Sequence, residues 1–162
     1  MKRILCGALT LALLLLPLPA LGAEATIQTV EVLGVPLNFS MYTLYDADGY
    51  ATNYVKLRDV AWAMQYTSLP FDVDYDGSTL VTTGVRYTTR GGEMTVLGQV
   101  ASAKVYTAAL TVDGVGVQKE AILITQQGEQ NGSFYYKLRD LGEAIGFTVG
   151  WAQDRGIYIE TP

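Results

Sequence analysis

The sequence predicts an α+β protein built from two repeated antiparallel β-sheet units, each of order β-β-β-α-β-β with one helix packed on its sheet. Three observations predict it. The tetrapeptide Lys56-Leu57-Arg58-Asp59 returns as Lys137-Leu138-Arg139-Asp140, and a recurring segment marks a duplicated structural unit. The match continues on both sides. Tyr54 aligns with Tyr135, Val60 with Leu141, Ala63 with Ala144 and Met64 with Ile145, while Phe71-Asp72-Val73-Asp74-Tyr75 aligns with Phe147-Thr148-Val149-Gly150-Trp151. Upstream, Val32-Leu33-Gly34-Val35 aligns with Val112-Asp113-Gly114-Val115. Within each unit, apolar residues alternate before the tetrapeptide and fall at helical spacing after it.

Residues 1–23 read as a secretory signal peptide. Lys2 and Arg3 give a basic start, Ile4 to Leu16 is almost wholly apolar, Pro17 and Pro19 break the run, and small residues follow. Cleavage fits after Gly22, Ala23 or Ala25. An uncleaved membrane anchor is the other reading of the run, and the prolines and small residues argue against it.

The first unit spans residues 26–84. Thr29-Val30-Glu31-Val32 and Leu37-Asn38-Phe39-Ser40-Met41 alternate around Gly34 and Pro36, the pattern of a hairpin. Asp46-Ala47-Asp48-Gly49 is a turn, and Asn53 to Lys56 is a strand running into a helix. Leu57, Val60, Ala61 and Met64 make one apolar stripe, with Asp59 suited to the positive end of the helix. Phe71 to Tyr75 and Leu80 to Thr83 close the unit around Asp76-Gly77-Ser78. Residues 85–107 read as a linker or loop region with Gly91-Gly92 and Gly98, although Glu93 to Val100 can pair locally. The second unit, residues 108–162, repeats the plan, and Gly146 is placed to end its helix. The two units fuse into one body if the closing strand of the first meets the opening strands of the second.

Composition narrows the function. Loss of Lys2 and Arg3 leaves nine basic residues against 16 acids, a charge of about −7. Such a surface disfavours nucleic acid and anionic membranes, so no membrane association is expected after signal-peptide cleavage. The single cysteine, Cys6, departs with the leader, so packing alone must hold the fold. No histidine occurs, which removes the usual general base and the commonest metal ligand.

The phrases Asn53-Tyr54-Val55-Lys56-Leu57-Arg58-Asp59, Phe71-Asp72-Val73-Asp74-Tyr75-Asp76 and Tyr135-Tyr136-Lys137-Leu138-Arg139-Asp140 carry a family resemblance. So do Val112-Asp113-Gly114, Gly146-Phe147-Thr148-Val149-Gly150-Trp151 and Thr82-Thr83-Gly84-Val85-Arg86-Tyr87 with Gly91-Gly92-Glu93-Met94. Together they resemble the stalk domain named after the N-terminal domain of copper amine oxidases, as two tandem units in a bacterial exported protein. The resemblance implies fold and export, and it supplies no catalytic residue. Copper and the quinone belong to another domain of those enzymes, and a three-histidine copper site cannot be built here. The expectation is a protein without cofactor.

Four residue groups are candidates for chemistry. Asp72, Asp74 and Asp76 match the first half of a calcium loop, but Thr83 stands where the bidentate glutamate belongs. Asp46, Asp48, Asp72, Asp74 and Glu93 offer carboxylate pairs for a small secreted hydrolase, the alternative function. Tyr42, Tyr45, Tyr50, Tyr66 and Trp62 form a candidate binding surface, with Trp62 out of register with its helix stripe. Tyr75 and Trp151, at equivalent strand positions, read as core or sheet-face packing. The repeated Lys56, Leu57, Arg58 and Asp59, with Lys137, Leu138, Arg139 and Asp140, read as structural. In that reading the arginines reach sheet-edge carbonyls or nearby acids. The expectation is a non-catalytic, secreted stalk, spacer or binding module contacting cell-wall polysaccharide or a surface protein.

Overall fold

The computed structural model describes residues 22–162. The signal-peptide expectation lies almost wholly outside the described residues. The chain runs β1 (Ala23–Val32), β2 (Val35–Tyr45), β3 (Ala51–Lys56), α1 (Leu57–Met64), β4 (Phe71–Tyr75) and β5 (Thr79–Thr83). It continues β6 (Val100–Val112), β7 (Val115–Gln126), β8 (Ser133–Lys137), α2 (Leu138–Ile145), β9 (Thr148–Ala152) and β10 (Gly156–Glu160).

These strands form one ten-stranded mixed sheet of order β4-β5-β6-β7-β8-β3-β2-β1-β10-β9. The expected pair of antiparallel units, each with its own sheet, is therefore corrected. The protein is mostly strand, and two eight-residue helices make it all-β in character rather than α+β. The reason lies in where the closing hairpins go. β5 joins the second half by pairing parallel to β6, and β10 joins the first half by pairing parallel to β1. Local periodicity marks a strand but not its partner, so the exchange leaves no local trace. A second correction concerns the linker. Val100 to Thr107 belongs to β6 and pairs with β7, although its small and polar residues lack apolar alternation.

The register reveals an internal two-fold. Antiparallel β3 and β8 pair Tyr54 with Lys137, Val55 with Tyr136, and Lys56 with Tyr135. In the repeat, Tyr54 corresponds to Tyr135 and Lys56 to Lys137, so the axis passes through the pair Val55 and Tyr136. The exchanged hairpins obey it as well. Val81 pairs with Val112 as Ile159 pairs with Val32. The N–H of Asp113 donates to Val81 as the N–H of Leu33 donates to Ile159, both at 3.0–3.1 Å. Both turn pairs, Leu33-Gly34 and Asp113-Gly114, have positive φ throughout, the twist-matched geometry of two-residue hairpins.

Alternation sends side chains to two cores. One face carries Phe39, Met41, Val55, Leu110, Ala121 and Tyr136, joined by Val60, Ala61 and Met64 of α1 and Leu141 and Ile145 of α2. The other carries Tyr42, Leu44, Tyr54, Ile122, Ile124 and Tyr135, with Leu97 over them. Each helix meets its own hairpin, and α2 ends at Gly146, in the left-handed conformation at φ 109°. Gly142 lies under that contact. A Cβ there would stand 2.6 Å from the Phe147 carbonyl oxygen. Gly142→Ala should therefore destabilise by about 1–3 kcal/mol despite its better helix propensity, a loss that urea denaturation would register.

Residues 84–99 form an irregular strap tied to both faces. Tyr87 and Leu97 are buried. The Met94 N–H donates to Asp59 at 3.0 Å, the Leu97 N–H to Ser40 Oγ at 2.9 Å, and the Tyr42 hydroxyl to the Gly98 carbonyl at 2.9 Å.

Candidate functional site

The two-fold produces two related clefts. The first, about 420 Å³, lies where the Lys56-Leu57-Arg58 segment meets Val73, Asp74 and Tyr75 of β4 and Gly132, Ser133 and Phe134 of the other half. The second, about 370 Å³, is framed by Lys137, Leu138 and Arg139, by Val149, Gly150 and Trp151 of β9, and by Ala51, Thr52 and Asn53. Position for position, these walls are equivalent in the repeat. Each cleft thus has a lysine, an arginine and an aromatic residue in the same places.

The copies differ in what covers them. The strap brings Gly91, Gly92 and Glu93 onto the first cleft, and Asp74 stands on its wall. No strap residue lines the second, where Gly150 replaces Asp74. That glycine leaves room for a neighbouring ring. The Tyr158 ring lies across it and would occupy the space of any Cβ, while the Arg155 guanidinium stacks 3.9 Å above the same ring. Arg155 also reaches Glu31 and Glu160 at 2.6 and 2.9 Å, so the floor behind Trp151 is pinned across the halves.

Trp151 is 66% exposed and Tyr75 65%. Their reading as packing residues is corrected. Along β4, burial fades from Phe71 to Val73 to Tyr75, because the strand runs past the end of the core. β9 does the same from Phe147 to Trp151. Trp151 also borders a shallow groove of about 590 Å³, lined by Tyr45, Gln28, Thr29, Thr43 and Asn53. Of the predicted aromatic surface, Tyr42 is fully buried, stacked edge-on with Tyr135 at 4.9 Å, and burial pushes its hydroxyl up to about 12. Trp62 is half-buried and packs on the core, because that side of α1 faces apolar neighbours. Tyr45, Tyr50 and Tyr66 are exposed, with Tyr45 and Tyr50 flanking one turn and Tyr66 apart from them under Arg86 at 5.0 Å.

The tetrapeptide reading also needs correction. The described cations Arg90, Lys119, Lys137 and Arg155 hold ion pairs. Among the described residues neither Arg58 nor Arg139 holds an ion pair or a side-chain hydrogen bond, so neither reaches the expected carbonyl or acid. Lys137 pairs with Glu120 at 2.7 Å, and this contact together with the Tyr54 hydroxyl holds the Glu120 carboxyl below its usual range.

The acidic candidates are occupied locally. Asp46 accepts the Asp48 and Tyr50 N–H groups, and Asp76 accepts Ser78. Arg90 takes Asp72 at 3.0 Å and Asp74 at 3.8 Å. Burial acts to raise Asp72, but Arg90 and the Thr88 and Val73 N–H groups outweigh it and hold the carboxyl low. Among the described residues no three metal-binding side chains converge. Asp74 and Glu93 share the first cleft, yet the Tyr87 hydroxyl at 2.7 Å and the Arg90 N–H bind Glu93. They overcome burial and keep Glu93 below its usual range, the reverse of what a general acid needs. Asp59 is the one described carboxyl pushed upward, by burial, and it does not line a cleft. Sequence reasoning placed it at a helix start and missed its burial, because the strap that covers it is distant in sequence.

No family model matches the chain, and neither a curated relative nor a solved structure is similar to it. The resemblance to the stalk domain of copper amine oxidases therefore rests on the quoted residues alone.

Proposed function

We propose that the protein is a non-catalytic exported module that binds cell-wall glycan at the bacterial surface. The observation that carries this reading is Trp151, two-thirds exposed on the wall shared by the second cleft and the adjoining groove. A flat aromatic face beside amide and hydroxyl groups suits a pyranose ring, whose C–H face stacks while its hydroxyls are hydrogen-bonded. Tyr45 faces the same groove, and Asn53, Gln28, Thr29 and Thr43 provide the polar partners. The engaged state of the acids supports binding without bond cleavage.

Co-sedimentation with purified, protein-free peptidoglycan tests this. Trp151→Ala should weaken retention by roughly thirtyfold, about 2 kcal/mol, with an unchanged melting temperature. Tyr66→Ala, exposed and lining neither depression, should bind as the parent does. Equal retention of the parent and Trp151→Ala would dismiss the site. Release of reducing ends by the purified protein would dismiss the non-catalytic reading.

A further inference from the structure

The two clefts share their frame but not their charge, and the difference specifies a ligand. Around Arg58, the acids Asp74 and Glu93 line the same cleft and oppose an incoming anion. Around Arg139, Gly150 replaces the first of these and the second has no counterpart, because the strap crosses one cleft only. Asp140, next to Arg139 in the same helical turn, is the one described acid that lines the second cleft. Glu143, one turn further along α2, is taken by Lys119 at 2.8 Å. An exposed guanidinium that holds no ion pair or hydrogen bond among the described residues therefore shares a cleft with an exposed indole, in a chain where acids outnumber cations 16 to 11.

We propose that the second cleft is an acidic-sugar subsite, in which Arg139 receives a carboxylate borne by the ring that stacks on Trp151. Guanidinium and carboxylate form paired, charge-assisted hydrogen bonds that a lone hydroxyl cannot match. This rests on the glycan-binding reading and adds the class of sugar to it. The internal two-fold supplies its own control, because Arg58→Ala removes the same side chain from the acid-flanked cleft.

Binding of the full chain to polygalacturonate and to its carboxyl-reduced form, at low and moderate salt, tests the proposal. The parent should bind the acidic polymer about tenfold more tightly than the reduced one. Arg139→Ala should abolish that difference and leave binding to the reduced polymer intact, while Arg58→Ala should retain it. The preference should also shrink as salt rises. Equal binding of the two polymers by the parent, or equal loss in both arginine variants, would overturn the subsite while leaving glycan binding in place. Failure to bind either polymer, together with no retention on peptidoglycan, would overturn both. Arg139 is exposed and holds no ion pair among the described residues, so its removal should leave the thermal transition where it is.

Discussion

Phe71→Ala is expected to cost about 3–5 kcal/mol, the range for emptying a fully buried aromatic site. Phe71 opens β4, has no exposed surface and packs into the larger core. The expected form of the loss is as informative as its size. β4 pairs with β5, and β5 pairs in turn with β6 of the second half, so the damage passes directly across the two-fold. Far-ultraviolet and near-ultraviolet dichroism should therefore report one transition with one lowered midpoint. Phe147→Ala, at the equivalent place beside α2, should behave alike. Two separated transitions, with only one displaced by Phe71→Ala, would contradict a core shared by both halves.

The second large effect concerns pH. Asp59 is fully buried. Its Oδ1 accepts the Met94 N–H, and its Oδ2 has no hydrogen-bond partner among the described residues. Burial raises its pKa, Glu93 adds to the rise, and the Met94 N–H and Lys56 offset part of it. The folded carboxyl thus binds its proton more tightly than the unfolded one. Between the two pKa values the native state holds more protons, so stability from this group grows as pH falls and is lost as pH rises through the folded value. Asp72, Glu93 and Glu120 are shifted the other way and lose stability on acidification, so the parent's curve alone mixes both trends. Asp59→Asn isolates the term, because the amide oxygen keeps the Met94 contact without a charge. Relative to the parent, the variant should lose on the order of 1 kcal/mol of advantage between pH 7 and pH 4 in urea denaturation. A difference constant across that range would mean the carboxylate is solvated in the native protein.

Much of the local structure was legible from residue patterns. The strands before each tetrapeptide, the apolar stripes of both helices and the helix end at Gly146 follow from spacing and turn chemistry. The sheet was not legible, because strand pairing depends on which edges are free in three dimensions. Here β1 and β6 offer edges that the opposite hairpins fill. For the site, the repeat pointed to Arg58, Arg139, Tyr75 and Trp151, but equivalence alone does not say whether a side chain is buried or open. Trp151 shares its strand face with buried Phe147, and only the extent of the core decides that it stands clear. Tyr42 was misplaced for the opposite reason. The strap that covers it lies more than fifty residues further along the chain, in a stretch without periodicity.

The pairing of Val55 with Tyr136 carries one more consequence. A symmetric homodimer must place the same amino acid on both sides of its axis, so neither side can specialise without altering the other. Joining the copies in a single polypeptide lifts that constraint. One half can then edge its recess with the strap and bury an acid beneath that strap, while its twin keeps a recess free of it, with an indole at the rim.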